Sequence, residues 1–146
     1  MTMEPEEQNA ALQEFGQILL GITPGEWNRI TLSFAICHRV STYEIKVLAP
    51  NGTASHPTIP SNAIAILKDL RVGMYREGLG AWFSMSYEIS SDLQFYVNYD
   101  YDSEPNFSFD IDPYSYYRDL EKFPRNEGNI PDWLREKLRL AEQGED

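Results

Sequence analysis

The sequence predicts an α+β fold, a four-stranded antiparallel sheet made of two hairpins with helices packed mostly on one face. Two pairs of alternating segments stand in sequence with short links between their members, as hairpins require. Amphipathic helical stripes occur before, between and after these pairs, in the order α-β-β-α-β-β-α-α. No strand–helix alternation runs through the chain, so a parallel sheet is not expected.

The first helix is expected from Glu6 to about Leu20, because Leu12, Phe15, Ile18, Leu19 and Ile22 form one apolar stripe. Gly21 and the cluster Thr23-Pro24-Gly25 stop it. From Trp27 to His38 the chain alternates, with Ile30, Leu32, Phe34 and Ile36 on one side of a strand. A second strand at Thr42–Leu48 places Tyr43, Ile45 and Val47 together, and the short Arg39-Val40-Ser41 link makes a hairpin. Asn51-Gly52 is a turn dipeptide, and Pro57 and Pro60 mark the rest of that segment as a loop. Ser61 can cap a helix to about Arg76, burying Ala63, Ile66, Leu67, Leu70 and Met74.

Two further strands, Ala81–Ser90 and Leu93–Tyr101, join across Ser91-Asp92. Asp112-Pro113 is a cap followed by a first-turn proline, which opens a short helix to about Phe123. Pro131 opens the last helix, carrying Trp133, Leu134, Leu138 and Leu140. The chain length fits a single domain over residues 1-146, with 1-5 and 143-146 expected to be loose. Apolar residues at 42 % supply enough material for a core, which sets the chain apart from disordered sequences.

The net charge of −11 argues against nucleic acid or an anionic membrane as partner, since both repel such a surface. It favours a basic protein, whose encounter it would steer. The negative charge is concentrated. Between Asp100 and Glu121 stand seven carboxylates against one cation, Arg118, interleaved with Tyr99, Tyr101, Phe107, Phe109, Tyr114, Tyr116 and Tyr117. Aromatic anchors beside dense charge suit a surface that grips a cationic macromolecule.

Motifs for catalysis are poorly represented. The single cysteine, Cys37, excludes an internal disulfide and a cysteine zinc cluster. Cys37 and His38 are adjacent, so a strand would point them to opposite faces, which does not suit a nucleophile and its base. Asp100, Asp102 and Glu104 share a strand face and could hold a hard cation. As a calcium loop the stretch fails, with Pro105 where glycine is needed and Ile111 where the bidentate glutamate belongs. No glycine-rich phosphate cradle is present, and no cofactor is expected. Without a charged leader followed by an apolar run, and without an apolar stretch of about 18 residues, a cytoplasmic protein is expected.

Four motifs stand out along the chain, Gly25-Glu26-Trp27, Gly73-Met74-Tyr75, Trp82-Phe83-Ser84 and Tyr99-Asp100-Tyr101-Asp102-Ser103-Glu104-Pro105. A closing pair follows, Asp119-Leu120-Glu121-Lys122-Phe123-Pro124-Arg125 with Ile130-Pro131-Asp132-Trp133-Leu134. Together they resemble the YezG-like immunity proteins, the inhibitors encoded beside bacterial polymorphic toxins, and the closing pair is the most specific part. The closing pair itself reads mostly as architecture, a helix docked by Leu120 and Phe123, ended at Pro124 and restarted at Pro131. The resemblance implies a non-catalytic antitoxin that binds a cognate toxin C-terminal domain, often a nuclease, and it carries over no catalytic residue.

On this basis toxin contact is expected through Asp100, Asp102, Glu104, Asp110 and Asp112, with Trp82 and Phe107 as desolvated anchors. A nuclease cleft is basic because it holds phosphates, so carboxylates can occupy it. A small carboxylate- or metal-dependent hydrolase and an adaptor-type interaction module stay open as alternatives. Trp82 admits two placements, an exposed anchor among Ser84, Ser86 and Glu88 or a side chain covered by a helix.

Overall fold

The computed structural model describes residues 2–144. Its fold is α+β, with one antiparallel sheet of five strands and four α-helices among the described residues. In chain order these are α1 (Pro5–Ile22), β1 (Arg29–Cys37), β2 (Val40–Leu48), β3 (Ala54–Ser55) and α2 (Ser61–Gly73). They are followed by β4 (Ser84–Ser90), β5 (Phe95–Asp100), α3 (Pro113–Lys122) and α4 (Asp132–Gly144). A 3-10 turn at Glu127–Asn129 links α3 to α4. The strands lie in the order β3-β2-β1-β4-β5.

The fifth strand corrects the expected count and element order. Ala54 and Ser55 pair antiparallel with Leu48 and Val47. The turn before them is the one Asn51-Gly52 announced, with Gly52 at φ 89 and Asn51 Oδ1 accepting the Thr53 N–H at 2.9 Å. A two-residue strand is too short to show alternation, and that is why it reads as loop.

The described residues group into two compact units. The first comprises residues up to 33, 44–74 and 86–98. Within it α1 packs against α2 and sets Phe15 edge-on against Tyr87, with centroids 5.1 Å apart. The Tyr87 hydroxyl donates to the Leu12 carbonyl at 2.9 Å. This approach requires Gly16, where an added Cβ would lie 2.6 Å from that hydroxyl oxygen. The chain before α1 is held down, because the Met3 N–H donates to the Gly73 carbonyl at 2.7 Å. At the other end α4 carries helix through Gly144. Looseness at Met1, Glu145 and Asp146 lies outside the described residues.

The second unit comprises residues 34–43, 75–85 and those from 99 onward. In it α3 packs against α4, and Cys37, Phe83, Tyr116 and Leu134 form a buried cluster. Phe83 and Tyr116 both meet Trp133 edge-on, with centroids at 5.5 and 5.6 Å. His38 falls beyond the end of β1, at φ 56 in the hairpin turn, and its N–H donates to buried Asp119 at 2.7 Å. A left-handed residue in a turn is held there by a carboxylate from α3, and Cys37 packs as a small core side chain.

Candidate docking surface

All seven residues expected to contact a partner belong to the second unit. The structure separates them into core, framework and surface.

Trp82 is core. It is fully buried, against Phe34 at 6.2 Å and Tyr99 at 5.5 Å between ring centroids. Its expected role as an exposed anchor is therefore corrected. The regular strand starts only at Ser84, and Trp82 and Phe83 enter two different aromatic clusters. Strict alternation fails because the pairing shifts by one residue there, with Phe83 donating to the Asp100 carbonyl while Ser90 donates to that of Gln94. Phe107 is half-buried and packs against the cluster around Phe83 and Tyr116, so it supports the surface more than it projects from it.

Asp102 and Asp112 are partly committed to the framework. Asp112 caps α3, accepting the Tyr114 N–H at 2.9 Å, which satisfies one of the first-turn donors. Replacing Asp112 with alanine is expected to cost about 1 kcal/mol, read as a shift in the urea midpoint.

Asp102 meets Arg125, whose side chain is only 1 % exposed while that of Asp102 is 80 % exposed. Arg125 Nη1 lies 3.2 Å from the Asp102 carboxylate and 3.0 Å from the Asn129 carbonyl. Its Nη2 donates to the carbonyls of Ala81, at 3.2 Å, and Tyr101. The guanidinium also lies over the Phe83 ring, 5.3 Å from its centroid. Gly80, at φ 85, makes room for this side chain, since a Cβ there would sit 2.7 Å from Arg125 Cγ. Trp133 closes the corner by donating its indole N–H to the Asp102 carbonyl at 2.7 Å.

The remaining carboxylates face outward. Asp100 folds its own turn by accepting the N–H groups of Ser103 at 2.9 Å and Asp102 at 3.1 Å. The Ser103 amide is the main cause that holds this carboxyl below the usual aspartate range. Glu104 lies 3.7 Å from Lys137, a loose and half-exposed pair of small energetic weight. Asp110 is exposed and makes no hydrogen bond or ion pair among the described residues.

Two aromatic side chains of the same unit are exposed as well. Phe109 is 53 % exposed and Tyr117 40 % exposed, while Phe109 leans on Phe107 at 6.4 Å and Tyr117 stacks on Tyr114 at 5.3 Å. The sequence pattern does not separate Phe109 from Phe107, because both occupy odd positions in an irregular segment flanked by polar residues. Tyr99 lies deeper, and burial, reinforced by Tyr101, pushes its hydroxyl up to about 12.

Among the described residues no group of three or more His, Cys, Asp or Glu side chains could hold a metal ion. Nor is any helix among them long and apolar enough to cross a membrane. No protein-family model matches the chain, and no curated protein matches it.

Proposed function

We propose that this chain is a non-catalytic immunity protein that binds and blocks the C-terminal domain of a cognate bacterial toxin, a nuclease. One observation carries the reading. Phe109 stands half exposed beside Asp110, an exposed carboxylate that makes no hydrogen bond or ion pair among the described residues. An exposed aromatic ring contributes nothing to its own fold by staying in water, but desolvated in a partner's pocket it is a typical anchor. Asp100, Glu104 and Asp110 supply charge that complements a phosphate-binding cleft. The contact set proposed here puts Phe109 and Tyr117 in the anchoring role, with Asp102 and Asp112 exposed at the margin.

The test is co-expression with the toxin C-terminal domain encoded by the neighbouring gene, scored by growth and by recovery of a complex. Restored growth with a stable complex is expected. The double variant Phe109→Ala, Asp110→Lys should weaken the complex by at least about tenfold, with a slower association and unchanged thermal stability. Absence of both rescue and complex would remove the proposal. Charge reversal at Asp102 is a less direct probe, because that carboxylate also pairs with the buried Arg125.

A further inference from the structure

The geometry points to the free edge of β5 as a strand-pairing site for an extended basic segment of a partner protein. The choice of occupant rests on the basic-partner reading above. β5 ends the sheet order, with β4 as its neighbour. The Ser90 N–H donates to the Gln94 carbonyl at 2.9 Å, and the Phe83 N–H to that of Asp100 at 3.0 Å. Even-numbered residues therefore turn their backbone toward β4, and Phe95, Val97 and Tyr99 present theirs to the open side. At the far end the Tyr101 carbonyl is already taken by Arg125.

The two edges of the sheet are treated differently. At the other edge β3 pairs with Val47 and Leu48 of β2, His56 Nδ1 meets the Ile45 carbonyl at 2.8 Å, and Pro57 and Pro60 follow, so one end of that edge is already covered. β5, with the sequence FYVNYD, contains no proline, lysine or glycine and is rich in aromatic and β-branched residues. Its exposed alternate residues are Tyr96, Asn98 and Asp100, and Asp92 is exposed in the turn that leads into it. A second copy of this chain would bring like charges together at a net charge of −11. An extended segment with alternate lysines instead places cations beside Asp92 and Asp100 while its backbone completes the ladder.

The probe is a blocked hexapeptide of alternating lysine and valine, read by amide hydrogen exchange at Phe95, Val97 and Tyr99. Its controls are the same peptide with glutamate for lysine and the basic peptide N-methylated at alternate residues. With the basic peptide, exchange at the three amides should slow at least about tenfold, and with either control it should not. Val97→Pro removes one outward donor at a position where an edge strand tolerates proline, and should weaken peptide binding about tenfold. If Val97→Pro does not fold, the N-methylated peptide decides the point. No slowing with the basic peptide overturns the inference, as does equal slowing by all three peptides or protection in a dimer without peptide. The growth assay is a separate readout, so loss of the toxin reading and loss of the edge site are distinguishable.

Discussion

Replacing Arg125 with methionine is expected to destabilise the protein by about 3 kcal/mol. Methionine fills similar volume, so the loss is not one of packing. It comes from three carbonyls, those of Ala81, Tyr101 and Asn129, which lose their donor together. An unsatisfied buried acceptor costs about 1–3 kcal/mol; the Ala81 contact is buried and the other two are part-buried, so water entering the corner offsets part of the sum. Thermal unfolding should then fall by about 6–12 °C. Arg125→Lys should recover little, since a single ammonium cannot reproduce a planar fork with donors on two nitrogens. Asp102→Asn should stay within about 1 kcal/mol of the parent, because that carboxylate is largely solvated. Equal losses at Arg125 and Asp102 in matched urea titrations would contradict this assignment.

Truncating Trp82 to alanine should cost about 3–5 kcal/mol, as expected for a large buried aromatic side chain. The cavity would open between Phe34 and Tyr99, removing two ring contacts as well as buried area. The same substitution at an interface anchor would leave stability intact and abolish binding, so the two placements predict opposite results. Trp82→Phe is the sharper test. It should lower the unfolding midpoint while the folded fraction binds its partner with parent affinity. Parent stability with lost affinity would return Trp82 to the surface role.

Asp119 illustrates what a motif conceals. It opens the closing pair of motifs, and its sequence context suggests only a polar residue on a short helix. In the structure it is 2 % exposed and holds the turn between β1 and β2 by accepting the His38 N–H. Nothing local links positions 38 and 119. Arg125 follows Pro124 as an ordinary post-helix cation in sequence, and only the convergence of three chain segments makes it a buried hub. Phe109 was left exposed in the same way, because Phe107 beside it took the place against the core.

What the sequence determined by itself was periodic or local. Helical stripes placed α1, α2 and α4 to within a few residues, and alternation placed the cores of β1, β2, β4 and β5. Proline and its cap residue set the start of α3 at Pro113, since both act through the first turn alone. The charge bias was also complete in the sequence, because net charge does not depend on the fold. The tertiary structure decided which members of the acidic stretch are exposed and which are tied to the framework. Asp102 and Asp112 were drawn into the framework, Trp82 into the core, and Asp110 with Phe109 was left in water. That choice depends on contacts between residues far apart in the chain, and burial is a property of those contacts that no local pattern encodes.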